Sequence, residues 1–231
     1  MIRIDNLSKQ YGDAVVLDIP ELTIEAGQRF GLVGNNGAGK TTLFSLLLDL
    51  IQPTSGGVHS KEVRIDSSED WKVYTGSYID ESFLIGFLTP EEYFNFVGGL
   101  YGMSPADVMA FLQRFEVLFN GEILDSGKYV RDMSKGNQKK IGIAAAMLGE
   151  PDIIILDEPF ANLDPSSQIR LKQLIGELPE EQTLLISSHD LAHVTEVCQR
   201  IVLLERGKVI RDITDAPERT MEELEAYFAG S

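Results

Sequence analysis

Residues 29–50 read RFGLVGNNGAGKTTLFSLLLDL. The apolar run that ends in glycine has the pattern of a buried strand, and the stretch from Lys40 to about Leu50 that of a helix. Between them GNNGAGKT, residues 34–41, matches G-x-x-x-x-G-K-[ST] in the strand-then-helix setting that gives this motif its meaning. Gly34, Gly37 and Gly39 let the backbone wrap closely round phosphate oxygens. The N–H groups of the loop, through Asn35, Asn36 and Ala38, then point inward. Lys40 offers a point charge to β- and γ-phosphates, Thr41 a hydroxyl for Mg²⁺, and Thr42 reaches an α-phosphate.

Two further stretches complete a phosphate chemistry. In IIILDEP, residues 153–159, four apolar residues carry Asp157 to the C-terminal tip of a strand, where open α/β sheets bind ligands. Asp157 is placed to hold Mg²⁺ through its water shell. Glu158, next to it, is placed to orient and polarise a water attacking a γ-phosphate. HDLAH follows the strand TLLIS, so His189 also arrives at a strand tip. MSKGNQKK, residues 133–140, opens a helix with Ser134 and Gly136 at the cap and two lysines just behind. A helix N-terminus attracts anions, which raises the question of which anion this second start would meet.

The remaining pattern organises these sites. Ile2, Ile4 and VVLDIPELTIEAG alternate as antiparallel strands do, and QPTSGGVHSKEVRIDSSED reads as turns and short strands. From residue 89 to 148 the chain is mostly helical, with TPEE and SPAD as two good helix starts. After that, strand and helix alternate: IIIL, PSSQIRLKQLIGEL, TLLIS, DLAHVTEVCQR, RIVLLE, then GKVI. TMEELEAYF begins on a capping box, Thr220 with Glu223. Apolar strands alternating with helices imply an α/β fold with a parallel sheet covered on both faces.

Bulk composition excludes several classes. The 231 residues, 43% hydrophobic, suffice for a full core. A net charge of −16 argues against gripping nucleic acid or anionic lipid. One cysteine, Cys198, excludes an internal disulfide and a Cys-rich metal site, and reads as helix packing. The opening MIRIDNLSKQYG lacks a signal-peptide core, and no run of about 18 apolar residues occurs. A cytoplasmic protein is expected, with any membrane role supplied by a partner.

Together, GNNGAGKTT, MSKGNQKK, IIILDEP, ANLD and SSHD, in that order and spacing, resemble the nucleotide-binding subunit of ABC transporters nearly end to end. The short helical insertion is most similar to exporters of the ABC-2 type. The resemblance implies a P-loop NTPase (RecA-like) core with an N-terminal antiparallel β subdomain and an inserted α-helical subdomain. The whole of 1–231 would be one ABC ATPase domain, its catalytic core about 1–82 and 149–231 and its helical subdomain about 83–148. It implies ATP and Mg²⁺ as ligands, and Mg-dependent ATP hydrolysis coupled to a separate transmembrane permease on the inner face of the cell membrane. Two nucleotide-binding subunits, identical or different, would dimerise head to tail, so that Ser134 and Gly136 of one face the γ-phosphate held by the other. Tyr11 would stack on adenine, although a tyrosine at a strand end also serves as plain packing. Glu158 would be the general base, His189 the γ-phosphate sensor, and Asp164 the coupling residue across the dimer.

The sequence departs from the family pattern at two places. Asp80, in TGSYIDESFL, stands where glutamine is usual. It is expected to approach Mg²⁺ but cannot donate a hydrogen bond unless protonated. Ser-Lys-Gly-Asn replaces Ser-Gly-Gly-Gln. Asp80 and Asn137 leave open a weakly active regulatory half of a heterodimer; a soluble ABC-type ATPase without a permease is a separate alternative. His189 and His193 also read as H-x-x-x-H, but a catalytic zinc needs a third ligand and none is evident. Phe83, Phe87, Tyr93, Phe94, Phe96 and Tyr101 divide between a helical core and a groove for a membrane subunit, with Phe83 and Phe87 the expected contacts.

Overall fold

The structure, a computed structural model, describes residues 1–214. Thr220 and Glu223 of the expected last capping box lie outside them. The chain opens with β1 (Ile2–Tyr11) and β2 (Ala14–Ile24), an antiparallel hairpin turning at Gly12. Then come β3 (Arg29–Val33), the phosphate loop and α1 (Lys40–Leu47), followed by β4 (Ser55–Ser60) and the short β5 (Val63–Arg64). β6 (Thr75–Tyr78) leads into the helical block: α2 (Pro90–Leu100), α3 (Pro105–Leu112), α4 (Glu116–Phe119) and α5 (Lys135–Met147). β7 (Ile153–Leu156), α6 (Pro165–Gly176), β8 (Thr183–Ser188), α7 (Leu191–Val197), β9 (Arg200–Glu205) and β10 (Lys208–Ile213) follow.

Ten strands form two sheets among the described residues. The first is antiparallel, ordered β2-β1-β4-β5, and the second is ordered β10-β9-β3-β8-β7-β6. In the second, all pairings from β9 to β6 are parallel, and only β10 runs antiparallel to its neighbour. Strand periodicity sorts its side chains to two cores. Ile154, Leu156, Leu184, Ile186, Ile201 and Leu203 belong to a core shared with the helical block, α6 and α7. Ile153, Ile155, Leu185, Val202 and Leu204 face α1 and the antiparallel sheet. Such near-continuous apolar strands make sense only with both faces covered.

The helical block has a clear local logic. Thr89 with Glu92, and Ser104 with Asp107, form reciprocal capping boxes, each followed by proline at the first helical position. Phe94, Phe115 and Phe119 stack inside, with centroids 5.9 and 5.8 Å apart. Each such burial contributes about 1.5–3 kcal/mol. α5 lies directly on β6. A Cβ at Gly142 would stand 2.2 Å from the Tyr78 ring, and one at Gly76 1.9 Å from the Ala146 carbonyl oxygen. The two sheets meet at the turn before β10. Asp18 N–H donates to Gly207 O at 2.8 Å, and Gly207 N–H donates to Ala38 O at 2.8 Å.

Three expectations shift at their edges. α1 ends at Leu47 rather than near Leu50, and α7 ends at Val197. Cys198 is therefore the residue after the helix, buried against Gly31 of β3. No described helix is long and apolar enough to cross a membrane.

Candidate active site

The phosphate loop hangs between β3 and α1, at the carboxyl ends of the parallel strands. Gly37 and Gly39 have φ of 82° and 108°, which side chains rarely tolerate. Gly34 is required for another reason: a Cβ there would lie 2.3 Å from the Leu204 carbonyl oxygen. Lys40, 6% exposed, donates to Gly34 O at 2.7 Å and to Asn35 O at 3.4 Å. Its ammonium thus sits in the middle of the loop, ready to exchange carbonyl partners for phosphate oxygens. A cleft of about 240 Å³ opens there, lined by Val16, Asn36, Gly37, Lys40, Thr42 and Glu158 among others. Gly39 and Thr41 line it too.

Acidic groups close the other side. β6, β7 and β8 are adjacent and parallel, so their tips bring distant residues together. Asp157 N–H donates to Tyr78 O at 2.9 Å. The buried Asp157 carboxylate accepts from Thr41 Oγ1 at 2.5 Å and from the Ser187 hydroxyl. Burial pushes the Asp157 carboxyl upward, while the bonds from Ser187 and Thr41 oppose that. Adjacent hydroxyl and carboxylate oxygens form a hard donor pair of the kind Mg²⁺ takes together with waters and substrate phosphates.

Glu158 holds the centre. One carboxylate oxygen lies 3.2 Å from Lys40 Nζ, and the other 2.9 Å from His189 Nδ1. An ionised carboxylate only accepts, so in this contact His189 is the donor, through Nδ1. Glu158 has φ of 46°, unusual for a non-glycine residue. Its N–H donates to Ser187 Oγ at 3.0 Å, and its carbonyl accepts from Lys139 Nζ at 2.7 Å. Burial pulls the Lys139 ammonium down, and Glu81, Glu158 and Asp157 oppose that shift.

Thus Lys40, Thr41, Asp157, Glu158 and His189 come together, as do Asn36, Gly37, Gly39 and Thr42 on the cleft wall. Five other residues stand apart, Gly136 among them, in the first turn of α5. Tyr11 is 55% exposed at the end of β1, with Lys9 Nζ 4.7 Å from its ring centre. It belongs to the same hairpin as Val16, which does line the cleft. Asp80 is committed locally: its carboxylate accepts from Ser82 N–H at 2.6 Å and caps the 3-10 turn Glu81–Phe83. Ser134 caps α5, accepting from Asn137 N–H at 3.2 Å. Asp164 caps α6 and accepts from Ser166, Ser167 Oγ and Ser167 N–H, which hold its carboxyl well below the usual range. Each imidazole of the H-x-x-x-H pair has its own carboxylate, and His193 lies 3.6 Å from Asp190 with its ring against Phe160. Sequence reading missed Ser187 and Lys139. Ser187 is the first serine of the SSHD stretch, and Lys139 the first of the paired lysines, so both were visible without their partners being so.

A glycine-lined phosphate cradle opposed by two carboxylates at the tip of one parallel strand of the same sheet defines a P-loop nucleotide hydrolase. The ABC transporter family profile matches residues 17–161. The lantibiotic transport ATP-binding protein SrtF of Streptococcus pyogenes is 32% identical over 225 residues, covering 97% of this chain and 95% of that protein. The ABC transporter ATP-binding protein NatA of Bacillus subtilis is 31% identical over 221 residues, covering 91% and 88%. A solved ATP-binding subunit of an ABC transporter superposes with a TM-score of 0.81 at 28% identity, covering 97% and 94%. The dimeric post-hydrolysis state of an ATP-binding cassette bound to ADP and Pi shares the fold, with a TM-score of 0.80 at 23% identity over 93% and 98%. The chain belongs to the ATP-binding subunits of the ABC transporter family, and its reaction is ATP hydrolysis.

Proposed function

We propose that this chain is the ATP-hydrolysing cassette of an exporter of the ABC-2 type and drives a separate membrane permease through nucleotide-dependent dimerisation. It acts as one cassette, with 83–148 as a helical subdomain inserted between 1–82 and 149–231. The single observation that carries the reading is the convergence on Glu158, which touches both Lys40 and His189 beside the phosphate loop.

The residues divide the work as follows. The loop N–H groups from Gly34 to Thr42 cradle the phosphates, and Lys40 trades its carbonyl partners for β- and γ-oxygens. Thr41 and Asp157 would hold Mg²⁺, which when bound neutralises charge on the phosphate oxygens. Glu158 orients a water and takes its proton, while His189, fixed by that carboxylate, presents Nε2 toward the γ-phosphate. Tyr11 covers the adenine ring from the hairpin tip. Ser134 and the first N–H groups of α5 form a half-site for the triphosphate held by a second subunit, with Gly136 allowing close approach. Asp164 sits between the two sites. Asp80, with its carboxylate already bonded to Ser82, contributes to Mg²⁺ only if that cap opens.

The test is Glu158→Gln. It is expected to retain ATP binding and lose about 10²–10⁴-fold in phosphate release. Turnover at the normal rate would remove Glu158 from the role of base.

A further inference from the structure

Two lysines of α5 lie buried away from the phosphate loop. Lys139 and Lys140 are each 5% exposed. A buried ammonium is costly unless it is paired and hydrogen-bonded, so its partners show what the site is built to hold. Lys139 Nζ donates to the Glu158 carbonyl at 2.7 Å and lies 5.9 Å from the Tyr78 ring centre. Lys140 Nζ comes 4.0 Å from an Asp164 carboxylate oxygen. One turn earlier, a Cβ on Gly136 would meet the Asn162 carbonyl oxygen at 3.3 Å. Positions 136, 139 and 140 share one face of a helix. That face therefore runs along the loop 158–164, from the residue read as base to the residue that caps α6.

The loop needs holding. Glu158 and Asn162 have φ of 46° and 62°, and left-handed backbone in non-glycine residues persists only when its surroundings enforce it. Around Glu158 the enforcement comes from two elements. Ser187 of β8 accepts the Glu158 N–H at 3.0 Å, and Lys139 of α5 donates to the carbonyl, which also takes the Ala161 N–H at 3.2 Å. Without Lys139, the peptide following Glu158 keeps only a bond within its own loop.

We infer that Lys139 is a positioning residue for ATP hydrolysis: its bond to the Glu158 carbonyl ties the base's backbone to helix α5. The inference rests on Glu158 being the general base. It makes the orientation of that carboxylate depend on where α5 stands, and α5 is capped by Ser134. A shift of the helix at its exposed end would reach the base through Lys139 and the far end of the loop through Lys140.

Steady-state phosphate release and equilibrium ATP binding on the purified full chain test this, with Lys139→Met, Lys139→Arg and Glu158→Gln compared. Lys139→Met keeps the apolar stem and removes the donor. It is expected to lower kcat by about 10–100-fold, the scale of a misplaced catalytic group. KM and ATP affinity should stay within about threefold, since ground-state binding is untouched. Lys139→Arg, which restores a donor, should recover part of kcat. Wild-type kcat in Lys139→Met, or a rise in KM alone, overturns the inference. If the methionine variant fails to fold, Lys139→Gln against Lys139→Arg carries the same comparison of kcat with KM. An inactive Glu158→Gln beside a normal Lys139→Met removes the tether and leaves the base; an active Glu158→Gln removes the base itself.

Discussion

A single carboxylate, Glu158, touches both a cation that would bind phosphate and an imidazole that would sense it, which is why so much of the proposed chemistry turns on one side chain. Lys40 is the other decisive residue. Its burial and its bonds to Gly34 O and Asn35 O place the charge where phosphate oxygens would enter. Lys40→Ala is therefore expected to weaken ATP binding itself, by about tenfold or more for a lost charge-assisted contact. Unchanged affinity by equilibrium titration would contradict this. Cys198 shows the opposite character. Burial pushes its thiol up to about 12 from an ordinary 9.0. A raised acid favours the neutral form in the fold, so its contribution to stability is present below pH 9 and fades as pH climbs toward 12. The same burial predicts slow reaction with a thiol reagent in native buffer and complete reaction in denaturant.

At the scale of elements, caps and close approaches decide stability. Thr89→Ala removes the side-chain half of a capping box and should cost about 1 kcal/mol, read as a lowered urea midpoint with unchanged slope. Gly142→Ala places a methyl where the Tyr78 ring already is, and should cost about 1–3 kcal/mol by overpacking the seat of α5 on β6. The elements themselves were largely readable beforehand. The strand at IIIL, the Pro-led helices after Thr89 and Ser104, and the loop before Lys40 each announce themselves through local patterns of apolar spacing, caps and glycine. What stayed hidden depends on which strand tips become neighbours. Ser187 bridges Asp157 and Glu158 only because β7 and β8 pair, and Lys139 reaches Glu158 only because α5 folds back over that loop. The family likeness points Asp80 toward Mg²⁺, yet its bond to Ser82 N–H is a short-range capping choice that a one-residue comparison does not reveal.

For the whole molecule, the central question is assembly. Ser134 caps α5 and does not line the cleft, so the half-site proposed for it lies apart from the phosphate cradle. If two copies complete each other, Glu158→Gln with saturating Mg·ATP should double in mass by light scattering and return to monomer when nucleotide is removed. A persistent monomer would count against the composite site. Under the proposed function, Phe83 and Phe87, 56% and 67% exposed at and after the 3-10 turn Glu81–Phe83, would be the contacts of a membrane subunit. Replacing both by alanine should abolish co-purification with that subunit while leaving the unfolding midpoint unchanged. Tyr93 and Phe94 are buried in the helical core and would behave the other way, with lost stability first.

The turn at Gly207 has a bearing on how this chain tolerates being lengthened. It sits in a hairpin between β9 and β10, the sort of place where an engineer would insert a tag. Yet its two peptide bonds shore up Asp18 on one side and Ala38 on the other, and a Cβ there would collide with the Val16 carbonyl at 2.4 Å. An inserted peptide at this bend would loosen the grip on ATP from behind, without contributing or removing a single atom that the nucleotide touches.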